Sequence, residues 1–305
     1  MPTTVPTPER RTHVYKVVEG HSIRADVLGA EPGNRKPCVL WIHGGGLIFG
    51  SRTVSPRPTF AQALLDCGFV VVSIDHRLAP EAKLPAIVDD VRDAWHWMHQ
   101  MGASLFGIDP ARMAIAGASA GGYLSLLAGT VFAPRPRALA SFWGYGDITA
   151  AWEAEPSDFY RKMALVDRQD AVARLHDQPG PGAAALADRS LFYLYCRQQG
   201  RWLQEVTGRD PLTDGVWLER HCPLRNIDAA YPPTVLVHGT HDSDVPHAES
   251  AALAQRLAAV GVMHRFVSLP GIGHGFAGAE PQAAQAVERD VAEFLVHALG
   301  AIGSR

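Results

Sequence analysis

Short apolar runs recur along the chain, and most are followed by a segment whose apolar residues return at helical spacing. CVLWIH (38–43) and FVVVSID (69–75) are continuous runs, as expected of strands buried on both faces. RMAIAGA (112–118), ALASFWGY (138–145), TVLVHG (234–239) and HRFVSLP (264–270) read as further strands. HVYKVV and SIRADVLG predict an opening antiparallel pair joined by a turn at Glu19-Gly20. Helical spacing covers about 59–67, 85–101, a segment beginning at Ala120, 247–260 and 282–299. Strands separated by helices predict right-handed crossovers and an α/β fold, a mostly parallel sheet with helices on both faces.

The rhythm breaks after Asp147. Residues 149–226 are richer in Trp, Tyr, Arg, Pro and Gly, and read as helices and loops. Within them DQPGPGAAA (177–185) is expected to be a loop and DRSLFYLYCRQQGRWLQEV (188–206) helical. Residues 1–148 and 227–305 therefore read as one core, with 149–226 inserted as a helical cap or lid; no internal repeat is found. In open sheets of this kind, ligands bind at the carboxyl ends of the strands.

The candidate chemistry lies at those ends. In AIAGASAGGYLS (114–125), Ser119 sits between a strand and a helix and is crowded by small residues. So abrupt a turn forces strained backbone on the serine, and glycines two before and two after remove the collision. The hydroxyl then stands exposed at a helix N-terminus, which favours developing negative charge. A packing turn is the bland alternative. GIGHGF (271–276) supplies His274, just after a strand and beside glycines, as the base. HGTHDSDVP (238–246) offers Asp242 and Asp244 as the acid. Asp242 is better placed; Asp244 is expected to cap the helix beginning near His247, with Pro246 in its first turn. Asp147 is a third candidate. In WIHGGGLIFG (41–50), Gly44, Gly45 and Gly46 follow a strand, so their N–H groups, with that of Ala120, suit an oxyanion hole. The glycines lack the GK[ST] tail of a phosphate loop. His238, His241, Asp242, Asp244 and His247 could be read as metal ligands, but a strand end followed by a helix should splay them.

Composition changes this picture little. The chain has 305 residues, 47% of them hydrophobic, and a formal charge of −3, which argues against nucleic acid or an anionic membrane as partner. Cys38, Cys67, Cys196 and Cys222 lack CxxC spacing; Cys38 and Cys67 are expected to be buried thiols. The N-terminus, MPTTVPTPERRTHVYK, has no apolar stretch like that of a secretory signal, so a soluble cytoplasmic protein is expected.

With those residues assembled, the chain resembles the α/β-hydrolase superfamily. HGGG (43–46) and DHRLAPE (75–81) look like the hormone-sensitive-lipase-like esterases, which often have tyrosine where His76 stands and an acid where Ala118 stands. YPPTVLVHGTHDSDVP and GIGHGF are closer to esterases of the prolyl-oligopeptidase and dienelactone-hydrolase style. The resemblance implies Ser119, Asp242 and His274 as a triad, Gly44, Gly45 and Ala120 as oxyanion donors, and a loop-holding role for Arg77 and Glu81. It implies a cofactor-free carboxylesterase for small-molecule esters, as monomer or homodimer; the insertion has no long apolar lid helix, so short-chain esters are expected rather than the substrates of a true lipase. An amidase, arylformamidase or dienelactone-type hydrolase would use the same triad. A ligand receptor on this fold would be expected to lose a triad member.

Overall fold

The computed structural model describes residues 9–53, 56–175 and 186–300. The expected loop at 177–185 lies outside them, as does the start of the N-terminal segment. Eight strands form one sheet in the order β1-β2-β4-β3-β5-β6-β7-β8. β1 (Arg10–Val18) and β2 (His21–Leu28) pair antiparallel across the Glu19-Gly20 turn, and β2 also runs antiparallel to β4 (Val70–Ile74). From β4 through β3 (Lys36–Ile42), β5 (Ile108–Ala118), β6 (Leu139–Phe142), β7 (Thr234–Gly239) and β8 (His264–Leu269), every pairing is parallel.

The apolar runs are continuous because each strand feeds two cores. Cys38, Leu40 and Ile42 of β3 join one cluster, together with α2 (Leu84–Phe106) and α3 (Ala120–Val131). Val39 and Trp41, from the same strand, join the other, under α1 (Pro58–Asp66) and α11 (Pro281–Ala298). Val72 and Val71 of β4, and Ile115 and Ala116 of β5, divide in the same way. Each fully buried side chain of this size contributes about 1.5–3 kcal/mol.

Several element boundaries differ from those read in the sequence, β5 for one beginning at Ile108 rather than 112, and three of the differences have a local cause. α2 continues past Met101 because Gly102 is a packing position, where a Cβ would come within 3.1 Å of Ile108, and the helix ends at the left-handed Gly107. β6 stops at Phe142, since Trp143 turns out of the ladder with φ 40°. The helix expected over 188–206 is two, α6 (Leu186–Gln199) and α7 (Trp202–Thr207), broken at Gly200 with φ 63°. Of the two thiols expected to be buried, Cys38 is, whereas Cys67 is partly exposed.

Between β6 and β7 the described residues carry only helices: α4 (Ala151–Ala154), α5 (Arg168–Ala173), α6, α7, α8 (Gly215–Arg220) and α9 (Pro223–Asn226), with one 3-10 turn at Tyr160–Lys162. Arg189 of α6 is 2% exposed, and its guanidinium donates to the carbonyls of Ile48 and Ala79 and to both carboxylate oxygens of Glu81. Trp202 Nε1 donates to the Gly46 carbonyl at 2.7 Å. The insertion is thus fastened to the glycine loop after β3. No helix among the described residues is long and apolar enough to cross a membrane.

Candidate active site

Ser119 stands between the last residue of β5 and the first of α3 with φ 54° and ψ −121°, a backbone that serine adopts only when its surroundings compel it. The surroundings are glycine. A Cβ on Gly117 would lie 2.3 Å from the Gly121 carbonyl oxygen, and one on Gly121 would lie 2.1 Å from that of Ile42. Ser119 N–H donates to Phe142 O at 2.8 Å, tying the turn to β6, and Ser119 O accepts from Tyr123 N–H at 2.9 Å. Its hydroxyl makes no hydrogen bond among the described residues.

The glycine loop passes directly beside this serine: a Cβ on Gly44 would be 2.9 Å from Ala118 O and 3.3 Å from Ser119 Cβ. Gly45 and Gly46 have φ 110° and 60°, which their lack of side chains permits. All three carbonyls are engaged. Gly44 O accepts from His43 Nδ1 at 2.7 Å, Gly45 O from the N–H groups of Ile48 and Phe49, and Gly46 O from Trp202. A trans peptide is planar, so holding the Gly44 carbonyl aims the Gly45 N–H the opposite way. The N–H groups of Gly44 and Gly45 find no acceptor among the described residues. His43 in turn stacks on His76, with ring centroids 4.3 Å apart. Burial lowers both imidazoles, His76 to about 3, so the stack is uncharged at neutral pH.

At the ends of the last two strands, Asp242 and His274 meet. Asp242 Oδ2 lies 2.7 Å from His274 Nδ1. Its Oδ1 accepts from the N–H groups of Asp244 and Val245, both at 2.9 Å. Burial alone would raise this carboxyl, but the His238 and His274 contacts and the backbone donors hold it well below the usual range. His274 opens a 3-10 turn, His274–Phe276, after Gly273, and Trp143 stands edge-on to its ring at 5.9 Å. Burial works against its imidazolium; the bond to Asp242 and the charges of Asp244 and Asp242 outweigh it, so its pKa lies above the ordinary value.

The other candidates go elsewhere. Asp147 accepts from Thr149, Arg225 and Cys222, with no imidazole among these partners. Asp244 caps nothing: Pro246 is the N-cap of α10 (His247–Ala259), with no side-chain cap bond. The Asp244 carboxylate instead accepts from Tyr193 and Arg197 of the insertion, because a buried guanidinium 2.9 Å away is a stronger partner than a solvated helix end. His238 faces Ser250 and the Val245 carbonyl, and His247 faces Ser268. Arg77 pairs with Asp90 and Glu81 with Arg189, both bracing the loop after β4. The sequence reading gave no role to Arg189 or Arg197 and took Trp202 only as one of the aromatics packing residues 149–226; a charged or indole side chain within a predicted helix carries no local sign of its distant partner.

A cavity of about 190 Å³ is walled by Trp41, Phe60, Phe142, Trp143 and Phe276, with the Arg57–Glu288 ion pair also in its lining, and it reaches Ala118 and Gly275, the chain neighbours of Ser119 and His274. A second, of about 350 Å³, lies beside Asp242 and Asp244 under Trp152, Phe159 and Arg197.

Comparison with known proteins agrees with this architecture. The non-reducing polyketide synthase Preu6 of Preussia isomera is 30% identical over 298 residues, which cover 87% of this chain but 14% of the synthase. Esterase LipC of Mycobacterium tuberculosis is 27% identical over 246 residues, 80% of this chain and 54% of LipC. The thermostable carboxylesterase EstE1, from a metagenomic library, superposes with a TM-score of 0.71 at 24% identity, covering 96% of this chain and 90% of EstE1. The dienelactone hydrolase family model matches residues 218–299, in the half of the chain whose motifs resemble that group. The BD-FAE family model matches residues 27–257, from β2 into α10, and the chain is a member of that family with an α/β-hydrolase fold.

Proposed function

We propose that the chain is a serine carboxylesterase for short-chain acyl esters, with Ser119 as nucleophile, His274 as base and Asp242 as the acid that orients it. The observation that carries the reading is the Asp242–His274 contact of 2.7 Å at the same sheet end as a serine held at φ 54°. His274 takes the hydroxyl proton as Ser119 Oγ bonds to the ester carbonyl carbon. The N–H groups of Gly44, Gly45 and Ala120 hold the resulting oxyanion, each worth about 2.7–4 kcal/mol of barrier. The carbon–oxygen bond to the alcohol breaks as His274 returns the proton to it. Water, deprotonated by the same imidazole, then releases the acid and restores the serine. The cavity that reaches Ala118 and Gly275, next to Ser119 and His274, has aromatic walls that suit a short acyl chain or a single ring. The reading includes a cytoplasmic setting, a small-molecule substrate, no nucleic-acid or membrane partner, and a monomer or homodimer.

Hydrolysis of p-nitrophenyl esters from acetate to decanoate tests it. Acetate and butyrate should turn over fastest, and Ser119→Ala should lower the rate by more than ~10⁴-fold. No turnover of any ester above the Ser119→Ala background would sink the esterase reading. The dienelactone hydrolase match over 218–299 makes lactones the second substrate class to assay.

A further inference from the structure

The nitrogen of His274 that must serve Ser119 is Nε2, and in this structure its charged neighbour is a second carboxylate: Asp244 Oδ2 lies 3.7 Å away. Asp244 is not free to drift. Its Oδ1 accepts from Tyr193 OH at 2.7 Å and Arg197 Nη1 at 2.9 Å, while Arg197 Nη2 reaches Asp244 O and Trp152 O. The Arg197 side chain is 3% exposed and boxed by the rings of Trp152, Tyr160 and Tyr193, its guanidinium carbon 5.1, 5.4 and 5.9 Å from their centroids. This leaves Oδ2 as the face of Asp244 turned to the imidazole.

Resting on the triad reading above, we propose that Asp244 is a positioning residue for the base. It holds His274 between two carboxylates in the resting protein and competes with Ser119 for the Nε2 proton. The serine is fully activated only when Nε2 is deprotonated and turns from Asp244 to the hydroxyl.

The charges around the imidazole fix the sign. Asp242 faces Nδ1 and Asp244 faces Nε2, both favouring imidazolium; Arg197, behind Asp244, opposes it. His238, 3.3 Å from Asp242, shares that carboxylate. Glu153 stands 3.6 Å from Arg197, but burial pushes its carboxyl up to about 8, so at neutral pH Arg197 is balanced by Asp244 rather than by Glu153. The Tyr160 and Tyr193 hydroxyls, their pKa values raised by burial and by the Asp244 charge, stay neutral. The acid limb of kcat/KM should therefore have its midpoint above the ordinary histidine value of about 6.5, with activity lost as pH falls through it.

Asp244→Asn removes one favourable charge and leaves Arg197 unopposed, so the limb should move down by at least ~0.7 on the pH scale, the floor for unit charges about 4 Å apart in a water-like dielectric. Arg197→Gln, which bares Asp244, should move it up. Opposite displacements would not come from loosened packing. The same two directions should appear in the His274 ring resonance followed by NMR against pH, assigned with His274→Gln. That titration needs no turnover, so it still judges the proposal if every ester proves inert. Where Arg197→Gln does not fold, Tyr193→Phe strips one donor from Oδ1 and should give a smaller upward displacement. An Asp244→Asn titration that stays put or rises in both measurements overturns the proposal.

Discussion

The serine turn and the underside of the insertion are built by opposite means. Around Ser119 the chain gets its geometry by subtraction: Gly44, Gly117 and Gly121 supply no atoms, and backbones close to distances that a Cβ would forbid. Beneath α6 and α7 geometry comes by addition, from large polar side chains driven into the interior, Arg189, Arg197 and Trp202, each satisfied by carbonyls and carboxylates. Subtraction is stiff and local, because a steric limit has no alternative partner. Addition reaches across the fold but depends on every donor finding its acceptor. The two meet at the loop 44–50, which passes beside the serine and whose carbonyls are held by His43, by the loop's own N–H groups, and by Trp202 and Arg189.

That contrast can be broken at three points, taken in order of expected effect. Gly121→Ala would drive a methyl to 2.1 Å from Ile42 O and should cost more than ~3 kcal/mol, above the ordinary range for overpacking because the obstacle is backbone. Urea unfolding should show the whole domain weakened, and activity per folded molecule should fall as well, because the same contact sets the Ser119 turn; a midpoint like that of the unmodified chain would mean β3 yields easily. Arg189→Met leaves two buried carbonyls without a donor, while Glu81, 23% exposed, can rehydrate, so ~2–3 kcal/mol is expected rather than the full penalty of a broken buried pair. Here kcat should drop further than stability predicts, since the Ile48 carbonyl is released. Equal losses would show the pin to be merely adhesive. Trp202→Phe strips one donor from Gly46 O and should cost ~1–2 kcal/mol, with a fall in kcat at near-constant KM if the loop's N–H groups lose aim.

How much could be read from sequence follows the same division. β3 and β4 are legible because burial on both faces leaves an unbroken apolar run, and the serine turn because a steric demand admits only glycine. His274 and Asp242 are legible through their place after a strand. Asp244 was not. Its sequence neighbours suggest a helix cap, yet its partner Arg197 stands 47 residues earlier, and nothing local announces a contact of that span. Arg189 and Glu81, separated by 108 residues, are hidden in the same way. Gly102 and Gly200 show the limit from the other side: one lies inside a helix and one between two, and only the neighbours, Ile108 and Ala154, explain both.

The fastening of α6 and α7 to the glycine loop also bears on modularity. An insertion joined to its host only at the two chain crossings could be exchanged for another by splicing at those crossings, altering which molecules enter while the chemistry stayed intact. This one contributes the indole that occupies Gly46 O and the guanidinium that bridges Ile48 and Ala79. A chimera with a foreign insertion would inherit the serine turn but a slack loop beside it. The unit that can be transplanted is therefore the loop together with its helices.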